Sequence, residues 1–176
     1  MDGIDDWKLR FLQPKISFPR WGSKNADRAV YLSSEMSTFQ VVAWNILSGE
    51  KRVVTNVKHG VLDYIDAFLT DDGEVIVWFE PLESDGRGRW MLTSFDGRST
   101  TSLLGDTFPA FWTTGIALSP SGEFFVGTCS EAGDYTIWCK RRDQDATVLF
   151  TSDCAVGVGR EYTFNQNAMS ADGKYL

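Results

Sequence analysis

Short runs of hydrophobic residues, separated by polar turns, follow one another from Ile16 to the end of the chain. The runs are about four to seven residues long and rich in β-branched and aromatic residues, which is typical of β-strands. Long stretches with the 3.6-residue period of an amphipathic helix are absent from the pattern. The chain is therefore predicted to be an all-β protein built from short strands.

One turn motif recurs along the chain and gives the strands a period. It occurs as Leu69-Thr-Asp-Asp-Gly-Glu-Val75, Leu118-Ser-Pro-Ser-Gly-Glu-Phe124 and Ser170-Ala-Asp-Gly-Lys-Tyr-Leu176. Its glycines, Gly73, Gly122 and Gly173, are 49 and 51 residues apart. A repeat of about fifty residues that carries about four short strands is typical of a β-propeller blade. The sequence therefore predicts a partial β-propeller of four-stranded antiparallel blades.

The second repeat has the clearest strand pattern. We expect its strands at Asp63–Leu69, Glu74–Glu80, Arg89–Phe95 and Ser99–Leu104. The first two strands are joined by Asp71-Asp72-Gly73, and the last two by the Asp96-Gly97 pair. Glycine, and aspartate less readily, tolerates the positive φ that tight hairpins require, so both positions are suited to turns.

The neighbouring repeats follow the same plan. In the first repeat we expect strands at Ala29–Ser33, Phe39–Ile46 and Lys51–Thr55. In the third we expect them at Gly115–Leu118, Glu123–Cys129, Tyr135–Lys140 and Thr147–Thr151. The turn motif of the first repeat is replaced by Lys24-Asn-Ala-Asp27, so its glycine is lost.

These strands divide the chain into a lead-in at 1–15 and a propeller region at 16–176. We place the blades at about 16–58, 59–108 and 109–160, with an incomplete fourth blade from about 161. Because propellers have about four to eight blades of this size, three blades and a fraction cannot close a ring. The sequence is therefore expected to be a piece of a longer propeller, cut inside a blade.

Composition and charge indicate a folded core and exclude some classes of binding partner for the protein. Hydrophobic residues make up 43% of the chain and aromatic residues 14%, so a packed core is expected. The net charge of −7 argues against binding to nucleic acid or to an anionic membrane, both of which need a basic surface. No secretory signal and no apolar run of membrane-spanning length is present. We expect a cytoplasmic protein.

Three cysteines, Cys129, Cys139 and Cys154, form no closely spaced pair, and His59 is the one histidine. Such a set has too few ligands at the spacing that a zinc site needs, so neither a metal nor another cofactor is predicted. An odd number of cysteines in a cytoplasmic protein is most simply explained by reduced thiols.

The sequence offers no catalytic constellation, and no catalytic residue is assigned. The G-x-S-x-G motif of a serine hydrolase is missing, and its nearest counterpart, Gly97-Arg-Ser-Thr-Thr101, follows a hairpin turn. His59 beside Gly60 is interpreted as a solvated loop residue in preference to a general base. The acidic pairs Asp71-Asp72 and Asp143/Asp145 are interpreted as turn formers in preference to calcium ligands.

Other candidate binding residues also have a simpler structural explanation. The loop Ser84–Gly88 contains two glycines, but it lacks the ending of a phosphate-binding loop and leads into a strand. Arg141 and Arg142 could grip a carboxylate, although paired charges at a strand end usually form a solvated rim. Four strand tryptophans could line a ligand channel, but packing between blades is favoured: Trp44, Trp78, Trp90 and Trp138. The substrate-binding residues therefore remain unknown.

Several segments resemble the opening blades of peptidases of the prolyl oligopeptidase family. They are Phe18-Pro-Arg-Trp21, Ala29-Val-Tyr-Leu-Ser33, Phe39–Glu50, Gly88-Arg-Trp-Met with Phe95-Asp-Gly97, and Gly115–Gly122. The stretch Gly22–Asp27 departs from the family's Ser-Pro-Asp-Gly turn. The resemblance extends over nearly the whole chain from Ile16, and TolB-like propellers share the Ser-x-Asp-Gly turn.

This resemblance implies an N-terminal propeller that restricts the access of small peptides to a C-terminal α/β-hydrolase domain. That domain would carry the Ser, Asp and His of the active site, so this chain would hold none of them and would be inactive alone. Its partners would be the peptide substrate, the remaining blades and the hydrolase domain. The alternatives are a non-enzymatic, TolB-like propeller that binds proteins, or another propeller enzyme such as a lactonase.

Overall fold

The computed structural model describes residues 13–62, 65 and 67–159, which contain twelve β-strands and no helix. The first four strands are β1 (Arg20–Gly22), β2 (Asn25–Ser33), β3 (Gln40–Asn45) and β4 (Lys51–Val53). The next four are β5 (Phe68–Leu69), β6 (Val75–Pro81), β7 (Gly88–Ser94) and β8 (Thr100–Ser102). The last four are β9 (Trp112–Leu118), β10 (Phe124–Cys129), β11 (Tyr135–Lys140) and β12 (Thr147–Ser152).

These strands form three four-stranded sheets, each a simple meander in chain order: β1 to β4, β5 to β8, and β9 to β12. The strand pairs within them are antiparallel. The predicted fold class, an all-β partial propeller with four-stranded antiparallel blades, is thereby confirmed for three blades. The expected start of a fourth blade, from about residue 161, lies outside the described residues.

Most strand bounds agree with those predicted to within two residues, whereas β1 was not predicted and β2 and β9 begin four and three residues earlier than expected. The first strand of the second sheet spans Phe68–Leu69, and the predicted start of that strand at Asp63 lies outside the described residues. In the first sheet, the turn between β1 and β2 falls at 23–24, so part of Lys24–Asp27 belongs to β2. The residue before that turn, Gly22, must be a glycine, because a Cβ there would lie 2.7 Å from the carbonyl oxygens of Thr70 and Asp71. Gly22 lacks the positive φ of Gly73 and Gly122, so it serves this close approach and does not replace the turn glycine of the other repeats.

The chain divides into two compact units, and the division passes through the second sheet. The first unit comprises residues 1–78 and 93–99. Its core is aliphatic, with fully buried Val30, Leu32, Val41, Ile76 and Val77 from the central strands. Around them, residues 29–33 of β2 and 40–43 of β3 are buried at every position, as expected for strands that are covered on both faces.

One arginine joins the first two sheets within this unit. The Arg28 guanidinium donates to the Gly73 carbonyl at 3.1 Å and forms an ion pair with Glu74 at 2.8 Å. It also lies 4.8 Å from the ring centre of Phe95. A planar guanidinium can satisfy a carbonyl, a carboxylate and an aromatic face together, so Arg28 fixes the turns of the second sheet to β2.

The second unit comprises residues 79–92 and 100–176, and a connected group of aromatic rings packs beside its buried aliphatic residues. Four edge-to-face contacts, with ring centres 5.1–6.0 Å apart, link five rings in the order Trp90, Phe79, Phe111, Phe108 and Trp138. Such pairs stabilise a core beyond the area that they bury. The heavy aromatic content of the chain thus fills the space between successive sheets.

Candidate functional site

The loop 82–87 between β6 and β7 holds a polar cluster with several hydrogen bonds and ion pairs. The cluster consists of Asp85, Arg87, Trp112 and Glu131, and we call it the Arg87 cluster. Arg87 Nε donates to Asp85 Oδ2 at 2.9 Å, and Arg87 Nη1 donates to Glu131 Oε2 at 2.8 Å. The guanidinium carbon lies 5.4 Å from the Trp112 ring centre. One arginine therefore connects two strand-joining loops and an aromatic side chain.

Local backbone geometry sets the position of Arg87. Gly86 has a φ of 88°, which lets the loop turn back sharply so that Leu82 N and Glu83 N both donate to the Arg87 carbonyl. Asp85 Oδ1 accepts from Arg87 N at 3.0 Å, and the Asp85 carbonyl accepts from Trp112 Nε1 at 3.1 Å. The hydrogen bond from the Arg87 backbone N–H, followed by that from its guanidinium, lowers the pKa of Asp85.

This geometry agrees with a structural role for the Ser84–Gly88 loop, as the sequence indicated. A phosphate cradle presents free N–H groups to a ligand, whereas here the Arg87 N–H and guanidinium are already bound to carboxylates. Gly88 is required for a different reason, since a Cβ there would lie 1.9 Å from the Glu80 carbonyl oxygen. The Arg87 cluster holds loops together, and both of its carboxylates accept hydrogen bonds from the Arg87 guanidinium.

The strand tryptophans make a repeated interaction with threonine. Trp78 Nε1 donates to Thr93 Oγ1 at 2.8 Å, Trp90 Nε1 to Thr113 Oγ1 at 3.0 Å, and Trp138 Nε1 to Thr128 Oγ1 at 3.0 Å. Each indole thus packs in a sheet with its polar atom satisfied internally. For these three tryptophans the arrangement favours packing over a ligand channel.

Trp44 differs from the other three. Its ring lies edge-to-face with Tyr31, at 6.5 Å between ring centres, and Lys51 Nζ lies 5.4 Å from its ring centre. Its buried Nε1 has no hydrogen-bond partner in the described part of the chain. Burial raises the pKa of the neighbouring Tyr31 hydroxyl, and the charge of Glu35 adds to this effect.

The other predicted positions lie apart from the Arg87 cluster. His59 is exposed in the segment that joins β4 to β5. Asp72 Oδ1 accepts from Thr70 Oγ1 at 2.6 Å and from Glu74 N at 3.0 Å, so it stabilises a turn as expected. Asp143 and Asp145 lie exposed in the loop between β11 and β12. Within the described ranges, no group of three His, Cys, Asp or Glu residues could hold a metal ion.

The two arginines of the third sheet have different environments. Arg141 Nε donates to Glu123 Oε1 at 2.5 Å, and this hydrogen bond lowers the pKa of Glu123. Arg142 is exposed, as a solvated rim residue would be. The glutamate partner was missed from the sequence, although Glu123 and Arg141 lie at the ends of neighbouring strands, where antiparallel pairing brings them together.

The three cysteines are free thiols in the structure. Cys139 is buried in β11, and its burial raises the pKa of its thiol. Cys129 is partly exposed, and Cys154 is exposed after β12. In the part of the chain that the structure describes, no helix has the length and hydropathy of a membrane span.

No protein-family model and no curated protein sequence matches this chain. Solved structures with a similar fold include TolB from Agrobacterium tumefaciens, with a TM-score of 0.56 and 17% identity over 77% of this chain. TolB from Acinetobacter baumannii has a TM-score of 0.57 and 17% identity over 91% of this chain. The β-propeller domain of the trilobed protease from Pyrococcus furiosus has a TM-score of 0.56 and 11% identity over 79% of this chain.

The chain spans 49%, 36% and 43% of the length of these three structures, respectively. Two of these structures are described as TolB and one as a propeller domain of a protease, so the likeness is not confined to one kind of protein. At these identities it shows the fold alone. The chain therefore has the fold of a partial β-propeller.

Proposed function

We propose that this chain is part of the propeller of a prolyl oligopeptidase-family serine peptidase, where it restricts the access of small peptides to a hydrolase domain. The observation that carries the proposal is the set of three four-stranded blades in the segments that resemble that family. The similarity to the propeller domain of the Pyrococcus protease agrees with it. In this role the chain contributes a rigid wall and no reacting group.

The internal contacts of the chain suit such a role. A gate that excludes large substrates must keep its blades together, and Arg28 and the Arg87 cluster each fasten neighbouring sheets through several contacts. The three tryptophan–threonine pairs also connect strands by hydrogen bonds, of which that between Trp78 and Thr93 is buried. These polar groups support the wall and leave the chemistry to another part of the protein.

The test uses the product of the complete gene. We expect a fluorophosphonate probe to label one serine outside this chain, and short peptides to be hydrolysed much faster than long ones. Arg87→Ala should relax this preference for short peptides while the turnover of the shortest substrate stays close to that of the wild type, because only the wall is loosened. Absence of labelling and hydrolysis in the folded full-length protein would contradict the proposal.

A second candidate is a non-enzymatic, TolB-like propeller that binds other proteins. The observation that favours it is the exposed apolar strand β12, together with the similarity to two TolB structures. The coding sequence beyond Leu176 separates the two candidates. Further blades followed by a G-x-S-x-G motif would favour the peptidase, whereas a stop codon after the last blade would favour the binding protein.

A further inference from the structure

The last strands of the three sheets, β4, β8 and β12, differ in length and in charge. Strand β4 has three residues, two of them the cations Lys51 and Arg52, and β8 has three small polar residues. Strand β12 has six residues, Thr147–Ser152, and carries no charge. Short or charged edge strands are a common protection against pairing with another chain. The edge strands β4 and β8 have that protection, whereas β12 is neither short nor charged.

The side chains of β12 are apolar and exposed. Val148, Leu149 and Phe150 keep 52%, 52% and 50% of their surface in solvent. Val148 pairs with Trp138 and Phe150 with Ile137, whose side chains point to opposite faces of the sheet. Exposed large apolar side chains on both faces of one strand are unusual for a surface that meets only water.

The backbone of β12 is available on one side. Among the described residues its only strand neighbour is β11, so no described strand pairs with the N–H and C=O groups of its outer edge. A bulge at Leu149 interrupts the pairing with β11, but Phe150, Thr151 and Ser152 resume a regular register. An incoming strand can therefore pair with the regular part of β12 and place its side chains beside Leu149 and Phe150.

Charge indicates which kind of strand fits. Asp145 lies two residues before β12 and Asp153 follows it directly. The nearby Arg141 is already paired with Glu123, which leaves Arg142 as the neighbouring exposed cation. Antiparallel pairing with a second copy would bring Asp145 near Asp153 of that copy, and the net charge of −7 adds to the repulsion.

We propose that β12 is a docking edge for an extended segment of a partner protein, with an apolar centre and basic residues at its ends. The segment adds a fifth strand to the third sheet by main-chain hydrogen bonds, and its apolar side chains cover Val148, Leu149 and Phe150. Its basic ends meet Asp145 and Asp153. In this mode of recognition, main-chain hydrogen bonds provide the affinity, and the contacts of alternate side chains provide the specificity. It does not depend on whether the parent protein is a peptidase.

Labelled synthetic peptides test the proposal against the full chain by fluorescence anisotropy. The probe is Lys-Lys-Thr-Val-Ile-Val-Thr-Lys-Lys, compared with the same peptide flanked by Glu and with one whose central Ile is replaced by Pro. We expect the Lys-flanked peptide to bind at least about tenfold more tightly than either of the others. Equal binding of the Lys- and Glu-flanked peptides, binding of the proline peptide, or no binding at all would overturn the proposal.

Two substitutions locate the site on the chain. Leu149→Lys and Thr151→Lys each place a cation on the outer edge of β12. Each should weaken the binding of the Lys-flanked peptide about tenfold. Val53→Lys, on the exposed strand β4, is the matched control and should leave binding unchanged. An unchanged melting temperature shows that each variant is folded. If Val53→Lys weakened peptide binding equally, the binding site could not be assigned to β12 and the proposal would be overturned.

A charge reversal distinguishes a basic partner from a second copy. The double variant Asp145→Lys with Asp153→Lys should prefer the Glu-flanked peptide, so that the order of the two affinities is inverted. Analytical ultracentrifugation of the wild-type chain tests whether it forms a dimer. A dimer that Leu149→Lys dissociates would overturn the proposal in favour of self-pairing through β12.

Discussion

At the scale of single residues, the recurrent feature is an indole N–H bound to a threonine hydroxyl. A buried indole would otherwise leave its one donor without a partner, at a cost of about 1–3 kcal/mol. Threonine suits the acceptor position because it is also a good strand residue, so it satisfies the donor without disturbing the sheet. The three pairs thus reconcile a core rich in tryptophan with the need for hydrogen bonds.

The pair between Trp78 and Thr93 gives a direct prediction, since Thr93 is fully buried. Thr93→Val keeps the shape of the side chain and removes the acceptor. We expect the free energy of unfolding to fall by about 1–3 kcal/mol because the indole donor stays buried without this partner. Urea unfolding followed by tryptophan fluorescence measures the change.

The matched control is Thr101→Val, the same substitution at an exposed position of β8 in the same sheet. It should change the free energy of unfolding by less than about 0.5 kcal/mol. If both variants lose the same amount, the effect comes from the valine side chain in a strand and not from the lost hydrogen bond.

At the scale of strands and turns, alternation and turn residues were enough to predict most of the third sheet. The predicted bounds of β11 agree with the structure, those of β10 and β12 differ by one residue, and β9 begins three residues earlier. These strands are bounded by residues that end strands for local reasons, such as Gly122 with its φ of 86°. Local chemistry therefore determined the bounds that could be predicted.

Contacts between distant segments could not be predicted in the same way. Gly22 is required by backbone atoms of Thr70 and Asp71, which lie far along the chain. The same holds for Arg87, whose partners Trp112 and Glu131 belong to the next sheet and its loop. No local pattern records such pairs, although the repeat period indicates which loops become neighbours.

Gly88 at the start of β7 provides a prediction at this scale. Gly88 and Phe111 exchange two backbone hydrogen bonds, of 3.0 and 3.1 Å, while a Cβ on Gly88 would overlap the Glu80 carbonyl oxygen. Gly88→Ala should therefore force the strands apart and lower the free energy of unfolding by about 3 kcal/mol. Urea unfolding monitored by circular dichroism measures the loss.

Gly133→Ala serves as the comparison, because its loop position is exposed and a Cβ there would meet nothing within 4 Å. Its φ of 89° makes alanine strained, and the expected loss is about 1–2 kcal/mol. A loss at Gly88 no larger than that at Gly133 would show that β6 and β7 can separate at little cost.

At the scale of the whole molecule, carboxylates held by hydrogen bonds link stability to pH. The Ser94 hydroxyl, with the Arg98 N–H, lowers the pKa of Asp96 in the first unit. In the second unit the pKa of Asp85 is lowered mainly by the Arg87 N–H, and that of Glu123 by Arg141. Both units thus contain carboxyl groups that the folded state keeps ionised to lower pH than the unfolded chain does.

The direction of the pH effect follows from linkage. Because these three groups have a lower pKa in the folded state, the unfolded chain takes up protons first as the pH falls. Their contribution to stability is complete above their ordinary pKa values, near 3.8 for Asp and 4.5 for Glu. It disappears as the pH falls through the lowered values. We therefore expect the urea midpoint to decline only below about pH 5.

The combined variant Asp85→Asn, Asp96→Asn and Glu123→Gln should unfold at lower urea than the wild type at pH 7, and its midpoint should fall less between pH 5 and pH 3. Asp143→Asn, in an exposed loop, is the control and should retain the pH dependence of the wild type. The comparison is informative because both changes remove negative charge. If the control flattened the profile as much as the combined variant does, the net charge of −7 would set the acid sensitivity, and the three hydrogen-bonded carboxylates would not.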